Sequence, residues 1–253
     1  MIFAVINQKG GVGKSTVSGV LLSGLKQRGF KTLAVDLDAQ GNLSFSVGAD
    51  TSTQKTSFEM LTEKCSAADV IQHTEQGDVI PSSHSLSGAD MFINTTGKEY
   101  RLKEALEQIE NSYDYIILDT PPALGILTVN ALTAADSVII PAQADVYSLQ
   151  GIAQLSETIS TVRKYCNPKL KISGILLTRY NARAVLNRNI YDMMQEQAKN
   201  LDTKLFKTSI REAVAVREAQ ISQKSIFDYA PKANITEDFQ NFINELLEVS
   251  EHE

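Results

Sequence analysis

The sequence predicts an α/β fold, with one mostly parallel, twisted β-sheet that carries helices on both faces. Short runs of consecutive apolar, often β-branched residues recur along the chain, as is typical of strands buried on both faces. Amphipathic stretches of helical length alternate with these runs, which favours parallel strands joined by crossover helices. Hydrophobic residues make up 43% of the chain and charged residues 21%, which excludes a disordered or fibrous protein. We expect a single domain over residues 1–253.

The individual elements follow from these patterns. The expected strands are Ile2–Asn7, Thr32–Asp38, Asp78–Pro81, Tyr115–Asp119, Ser137–Pro141, Ile172–Thr178 and Leu205–Ile210. The expected helices are Ser15–Arg28, Tyr100–Glu110, Leu127–Ala134, Leu149–Tyr165, Asn187–Lys199, Val214–Ser222 and Thr236–Val249. The polar segment 49–87 has weaker signals, which predict two short helices at Ser57–Leu61 and Ala67–Gln72.

We predict a cytoplasmic protein, because the sequence shows no targeting signal and its cysteine usage fits a reducing compartment. No run approaches the roughly 18 apolar residues that cross a bilayer. The N-terminus enters the first expected strand without a basic region or a cleavage site, so we expect no signal peptide. Cys65 and Cys166 are far apart in sequence and are predicted to be reduced thiols.

A glycine-rich loop between the first strand and the first helix carries the strongest functional signal. It reads Gln8-Lys9-Gly10-Gly11-Val12-Gly13-Lys14-Ser15-Thr16. Glycines let several backbone N–H groups point at one anion, and the helix N-terminus adds partial positive charge. In this context Lys14 is expected to reach the β- and γ-phosphates of a nucleotide, and the Ser15 hydroxyl to bind Mg²⁺. We expect residues from Lys9 to Thr16 to contact the phosphates.

The segment Lys-Gly-Gly-Val-Gly-Lys-Ser resembles the deviant Walker A box of the ParA/MinD family of P-loop ATPases. The resemblance implies the P-loop NTPase fold, ATP as the nucleotide and Mg²⁺ as its metal. It also implies that Lys9, the extra lysine of this box, reaches across an ATP-bound homodimer to the partner's phosphates. The usual first glycine of the motif is replaced here by Gln8.

Two further segments extend the resemblance in the expected order. Val35-Asp36-Leu37-Asp38-Ala39-Gln40-Gly41-Asn42 is similar to the family's switch I, with Ala39 where the family usually has proline. It implies that Asp38 positions the attacking water and senses the γ-phosphate through Mg²⁺, with Asp36 close by. Tyr115-Ile116-Ile117-Leu118-Asp119-Thr120-Pro121-Pro122 resembles the Walker B strand and switch II. Asp119 would there hold a Mg²⁺-bound water.

Two later segments resemble the plasmid and chromosome partition branch of the family. They run from Pro141 to Gly151 and from Ile210 to Ala219. The second usually begins Pro-Arg-Asn and helps to frame the adenine, which makes Arg211 a candidate nucleotide contact. Since the resemblance begins at the first strand, we expect no helix-turn-helix extension. This branch implies an ATPase that binds double-stranded DNA without sequence preference as an ATP dimer and responds to a ParB-like partner on the nucleoid.

The charge distribution fits an anionic polymer as partner. The whole chain has a net charge of −6, yet residues 163–232 contain 14 Lys and Arg against 6 Asp and Glu, a net of +8. Phosphate contacts by Lys and Arg suffice for binding without base readout. The candidate DNA-binding residues are Lys204, Lys207, Arg211 and Lys232, with Arg179 and Arg183 as weaker candidates. Clustering of ordinary solvated charge is the alternative explanation.

Other functions of the family remain open. A membrane-cycling, MinD-like ATPase needs a C-terminal amphipathic helix, which favours Lys and Arg on its polar face. The chain after Lys232 instead contains six acidic residues and neither Lys nor Arg, so anionic lipid would repel it. We therefore expect no membrane partner. Cys65 and Cys166 do not match the cysteines of the iron–sulfur reductases. A metabolic ligase or synthetase is the remaining enzyme alternative.

Overall fold

The computed structural model describes residues 1–180 and 185–251, and gives side chains for residues 1–180 and 190–248. The strands are β1 (Ile2–Val5), β2 (Thr32–Asp36), β3 (Gln72–Thr74), β4 (Gly77–Ile80), β5 (Tyr115–Asp119), β6 (Ser137–Ala142) and β7 (Lys171–Leu177). The helices are α1 (Lys14–Gln27), α2 (Asn42–Ser46), α3 (Ser57–Leu61), α4 (Ala67–Val70), α5 (Ala89–Phe92), α6 (Arg101–Glu107), α7 (Ile126–Ala134), α8 (Val146–Tyr165), α9 (Val185–Asn200), α10 (Val214–Ile221), α11 (Ile226–Tyr229) and α12 (Asn234–Glu251). Short 3₁₀ turns lie at His84–Gly88, Lys98–Tyr100 and Glu110–Ser112.

The described strands form one seven-stranded sheet in the order β3-β4-β2-β5-β1-β6-β7. Every neighbouring pair is parallel except β3 and β4, which are antiparallel. The predicted fold class is therefore confirmed. The parallel strands bring their carboxyl ends to one edge, so the loops that follow β1, β2, β5, β6 and β7 meet there.

Successive residues of the central strands pack on opposite faces of the sheet, as strand geometry requires. On β1, Ala4 contributes to an apolar cluster with α6, α7 and α8, whereas Phe3 and Val5 contribute to a second cluster with α1 and α12. Both faces are thus covered by helices. This explains why the strands are apolar at consecutive positions rather than at alternate ones.

The prediction of a strand at Leu205–Ile210 is wrong. This segment pairs only through isolated bridges, from Leu205 to Ile175 of β7 and from Ile210 to Thr178 just beyond β7. Between them, the backbone N–H groups of Lys207 and Thr208 donate to the Glu245 carboxylate of α12, at 2.9 and 3.0 Å. Because a side chain of α12 takes these donors, the ladder with β7 does not form.

The remaining differences lie at element ends and in short elements of three to five residues. Helix α8 begins three residues before the expected Leu149, because Asp145 caps it and accepts from the Ser148 N–H at 2.9 Å. The helix expected at Ala67–Gln72 ends at Val70, and Gln72 begins strand β3. The sequence patterns do not predict helices α2, α5 and α11 or strand β3. Among the described residues, no helix has the length and apolar character needed to cross a membrane.

Candidate nucleotide site

The glycine-rich loop forms an open cradle at the carboxyl end of β1. Gly11 and Gly13 adopt left-handed backbone angles, with φ of 74° and 92°, which residues with a Cβ rarely tolerate. A Cβ built at Gly10 or Gly11 would meet nothing within 4 Å, so space lies above the loop. Gly13 is the N-cap of the 14-residue helix α1. The free N–H groups of the first turn and the helix dipole therefore face this space.

Two distant side chains fix the shape of this loop. Asn7 accepts from the Lys9 N–H at 2.9 Å and donates to the Pro141 carbonyl at 2.7 Å. Thr178, directly after β7, donates its hydroxyl to the Val12 carbonyl at 2.7 Å. The loop is thus tied to β6 and to the end of β7 by hydrogen bonds within the protein. Sequence reasoning identified neither Asn7 nor Thr178.

Lys14 places a buried ammonium group below the cradle. The residue is 7% exposed, and its Nζ donates to the Lys9 carbonyl at 3.4 Å. Burial lowers the pKa of Lys14, while the nearby Asp119 and Asp38 carboxylates partly offset that effect. A cation held by one long hydrogen bond is suited to receive an anionic ligand.

Two carboxylates lie side by side at the ends of β5 and β2. Asp119 and Asp36 are register partners, and both are fully buried. Asp119 Oδ1 accepts from the Ser18 hydroxyl at 2.9 Å, whereas its Oδ2 has no hydrogen-bond partner among the described residues. Burial, and then the charge of Asp36, raise the pKa of Asp119, while the Ser15 and Ser18 hydroxyls and Lys14 act in the opposite direction. Asp119 thus has a buried oxygen that is available to a ligand.

Asp36 closes the loop that carries Asp38. Its Oδ2 accepts from the N–H and the hydroxyl of Ser44, at 2.9 and 2.7 Å, and its Oδ1 from the Asp38 N–H at 3.1 Å. The Ser44 hydroxyl also accepts from the Ser82 N–H at 3.0 Å. Burial raises the pKa of Asp36, against the opposing effect of the Ser44 hydrogen bonds. Ser44 was not identified from the sequence, although it lies two residues beyond the switch I segment.

Asp38 faces the cleft above the cradle. The cleft has a volume of about 650 Å³, and its lining includes Lys14, Ser15, Asp38, Asn42 and Arg179. Asp38 Oδ1 accepts from the Gln40 N–H at 3.0 Å. The structure therefore gathers Lys14, Ser15, Asp38 and, below them, Asp119 around one space.

Lys9 points away from Lys14 and toward the start of α8. Its Nζ forms an ion pair with Asp145 and donates to Gln143 Oε1 at 3.3 Å. Gln143 in turn donates to the Gly11 carbonyl at 3.2 Å. The Lys9 side chain is 27% exposed, so this pair lies at the surface of the site. Sequence patterns did not identify Asp145 as the partner of Lys9.

A second, narrower cavity of about 80 Å³ adjoins the cradle. Gly13 and Thr16 line it on one side, and the residues from Ile210 to Ala213 line it on the other. Arg211 contributes to this lining, but its guanidinium is held by Asp238 of α12 through two hydrogen bonds of 2.7 Å. These bonds raise the pKa of Arg211. Because it adjoins the phosphate cradle, this cavity is the candidate position for the nucleoside of a bound nucleotide.

The remaining basic candidates lie along α12. Lys204 Nζ is 3.9 Å from Glu245 and 5.1 Å from the centre of the Phe206 ring. Lys207 is exposed, and Lys232 is exposed just before α12 begins. Arg179 is also exposed and lines the large cleft, whereas Arg183 lies outside the described residues.

The residues of the cleft fit a magnesium nucleotide. The glycine cradle leaves room for phosphate oxygens, Lys14 supplies a buried cation, and the unpartnered Asp119 Oδ2 supplies an oxygen of the kind that Mg²⁺ prefers. The Ser15 hydroxyl and the Asp38 carboxylate complete a set of hard oxygen donors around the same space.

Comparison with known proteins gives a consistent family. A family model described as an AAA domain matches residues 1–172. The chain is 40% identical over 249 residues to the sporulation initiation inhibitor protein Soj of Bacillus subtilis, which covers 97% of both chains. It is 38% identical to the chromosome partitioning protein ParA of Myxococcus xanthus, which covers 88% of this chain and 77% of that one.

A solved structure of 32% identity covers 97% of this chain and 93% of its own, with a TM-score of 0.85. It is the cobyrinic acid a,c-diamide synthase of Mycobacterium smegmatis with a bound ATP analogue and magnesium. The residues that the family model matches include the glycine cradle, Asp38 and Asp119. On this evidence the chain belongs to the ParA/MinD family of P-loop ATPases.

Proposed function

We propose that this protein is a Mg²⁺-ATP-dependent DNA segregation ATPase, active in plasmid or chromosome partition. The observation that carries the proposal is the convergence of Lys14, Ser15 and Asp38 on one cleft above the buried, unpartnered oxygen of Asp119. The relatives named Soj and ParA support the partition role. ATP and Mg²⁺ are the expected ligands, and hydrolysis to ADP and phosphate is the expected reaction.

Phosphoryl transfer to water requires charge neutralisation and positioning more than covalent chemistry. The cradle and Lys14 bind and orient the triphosphate, and Asp38 orients the attacking water. Ser15, Asp38 and Asp119 would hold Mg²⁺, which neutralises charge on the phosphate oxygens when it is bound. Ser44 keeps the Asp38 loop closed through Asp36, so that these groups stay in register.

The ATP-bound form is proposed to be a homodimer in which Lys9 contacts the partner's phosphates. In the described chain Lys9 pairs with Asp145 and Gln143. Entry into a dimer would therefore require that Lys9 exchange these partners for phosphate oxygens. This exchange would make hydrolysis depend on association.

The dimer is proposed to bind double-stranded DNA without sequence preference and to leave it after hydrolysis. Lys207 and Lys232 are exposed, and the described residues offer neither an ion-pair partner. Lys204 pairs with Glu245 and Arg211 pairs with Asp238, so acidic side chains offset both of these charges. A ParB-like protein is the expected stimulating partner, in the cytoplasm on the nucleoid.

A metabolic enzyme is the second candidate function. It is favoured by the likeness to a structure whose name is that of a diamide synthase. The identity of 32% is below the 40% and 38% of the relatives named for sporulation control and partition. We therefore place partition first.

Binding to a random-sequence DNA duplex tests the proposal. The protein would be measured with ATP, with ADP and without nucleotide, across a salt series. We expect the protein to bind DNA with ATP but not with ADP or without nucleotide. The affinity for DNA should fall as salt rises, and the Lys14→Ala variant should not bind DNA. Removing the charges of Lys207 and Lys232 should lower the slope of log affinity against log salt by roughly one per lost contact. Normal ATP hydrolysis without DNA binding in any state would refute the partition role and favour the metabolic one.

A further inference from the structure

A glutamine of α10 reaches across to the first turn of α1. Gln220 Nε2 donates to the Thr16 hydroxyl oxygen at 3.1 Å, and the two residues are 204 positions apart in the sequence. Both side chains are half-buried. Gln220 also lines the large cleft and the narrow cavity, and so does Thr16. The pair thus lies at the junction between the phosphate cradle and the cavity suited to a nucleoside.

The direction of this hydrogen bond determines what the Thr16 hydroxyl can do. A hydroxyl has one proton to donate and accepts through its oxygen. Since the glutamine amide donates to that oxygen, the Thr16 proton remains available for another acceptor. A glutamate at position 220 would reverse the bond, because an ionised carboxylate only accepts.

Within the described residues, the Thr16 hydroxyl does not donate to the usual acceptor for such a proton. In helices, Ser and Thr hydroxyls often donate to the carbonyl four residues earlier, as Ser23 does in α1 toward Gly19 at 2.9 Å. For Thr16 that carbonyl belongs to Val12, which instead accepts from Thr178 at 2.7 Å. The described residues offer the Thr16 proton no other partner. The proton is therefore free for a ligand in the adjoining cleft.

We propose that Gln220 is a positioning residue, which orients the Thr16 hydroxyl as a donor to the nucleotide phosphate nearest the nucleoside. Lys14 lies at the buried end of the cradle, whereas Thr16 lies where the cradle meets the narrow cavity. This position corresponds to the α-phosphate rather than to the γ-phosphate. The inference rests on the proposed binding of ATP.

The end of α10 is held in place, so Gln220 is presented at a fixed position. Gln223, just beyond α10, donates to the Phe45 carbonyl at 3.1 Å. The backbone carbonyl of Gln223 accepts from Gln76 Nε2 at 3.1 Å. These contacts tie the helix end to the end of α2 and to the β3–β4 turn. Gln220 thus loses little freedom when a ligand binds, which favours a positioning role.

Nucleotide binding by calorimetry tests the proposal in a double-mutant cycle. The proteins are the wild type, Gln220→Met, Thr16→Ala and the double variant, titrated with Mg²⁺-ADP and with Mg²⁺-ATP. We expect Gln220→Met alone to weaken both ligands roughly three- to tenfold, as for one net hydrogen bond. In the Thr16→Ala background the same substitution should change affinity by less than about twofold. Binding of Mg²⁺-ADP and of Mg²⁺-ATP should weaken by the same factor, since both nucleotides contain the α-phosphate.

The variant Gln220→Glu provides a second measurement. It retains the length of the side chain but accepts the Thr16 proton and adds negative charge, so it should bind ADP more weakly than Gln220→Met does. Gln154→Ala, an exposed glutamine on α8, is the matched surface control and should bind like the wild type. Thermal unfolding without nucleotide checks that each variant folds.

Two results would overturn the proposal. One is that the Gln220→Met variant binds nucleotide as tightly as the wild type. The other is that Gln220→Met lowers nucleotide affinity by the same factor in the wild type and in the Thr16→Ala background, which would indicate a purely structural role. If the wild-type protein itself bound neither nucleotide, the proposed function would fail and this inference with it. The wild-type titration therefore separates the two failures.

Discussion

Replacing Asp119 by asparagine is expected to stabilise the protein when nucleotide and metal are absent. In that state Asp119 buries a carboxylate oxygen without a partner, beside the second buried carboxylate of Asp36. Asparagine has nearly the same shape and retains the oxygen that accepts from Ser18. It removes one of the two neighbouring negative charges and places an amide donor beside the other.

The size of the gain follows from the buried oxygen. An unsatisfied buried polar group costs about 1–3 kcal/mol, and more when it is charged. The loss of attraction to Lys14 opposes the gain, but burial and the charge of Asp36 are the larger influences on Asp119. We therefore expect a net gain of about 2 kcal/mol. For a chain of this length that corresponds to a rise in Tm of roughly 4–8 °C.

The stability that Asp119→Asn gains over the wild type should depend on pH in a defined direction. Because the folded-state pKa of Asp119 is raised, the folded wild type retains a proton that the unfolded chain loses above about pH 3.9. Wild-type stability therefore falls as the pH rises from about 4 through the raised folded-state value. The asparagine variant does not lose stability with pH at position 119. Removing the charge there also removes the repulsion between positions 119 and 36. The difference in Tm should be small at pH 4.5 and full at pH 8.

Calorimetric unfolding in EDTA at several pH values provides the assay, with Asp192→Asn, an exposed carboxylate on α9, as the surface control. Saturating Mg²⁺-ATP should reverse the order of stability. A ligand at 100 times its Kd stabilises the wild type by about 2.7 kcal/mol, whereas the variant has lost an oxygen proposed to hold the metal's water. A lower Tm for Asp119→Asn at pH 8 without ligand would refute the reasoning.

Two further variants test the groups around the cradle. Asp38→Ala should bind ATP and form the dimer but fail to hydrolyse, because the water loses its orienting carboxylate; full turnover in a phosphate-release assay would exclude that role. Asp145→Asn keeps an oxygen that caps α8 but releases Lys9 from its ion pair, so ultracentrifugation should detect dimers at lower ATP concentration than for the wild type. Lys9→Ala in the same background should abolish that difference, and an unchanged ATP requirement in Asp145→Asn would contradict the proposed exchange of partners.

Much of the sheet could be predicted because its signals are local. Consecutive apolar residues indicate buried strands wherever they occur, and Asp38 and Asp119 follow such strands directly. Short elements could not be predicted because their local signals are too weak. Helix α2 has five residues and strand β3 has three, which is too short for a period to be recognised. Helix α2 instead begins after Gly41, whose φ of 63° turns the chain.

The supporting residues of the site could not be predicted from one sequence, because their partners are distant. Thr178 bonds to Val12 across 166 positions, and Lys9 pairs with Asp145 across 136. No spacing rule connects such pairs until the sheet order is known. Ser44 is close to Asp36 in sequence, but its role depends on the burial of both residues. The sequence thus indicates the groups that are proposed to bear the chemistry and not the groups that hold them in place.

The charge of α12 illustrates the difference between composition and structure. Counted from the sequence, the acidic tail opposes the basic stretch before it. In the fold, Asp238 is 8% exposed and neutralises Arg211, and the Glu245 side chain is 14% exposed and bonds to the backbone of the 204–211 segment. The same contacts cancel part of the basic charge that was assigned to DNA. Lys207 and Lys232 retain theirs, so removal of these two lysines should reduce the salt slope of DNA binding more than removal of Arg211, whose loss would instead free Asp238 and loosen the wall of the narrow cavity.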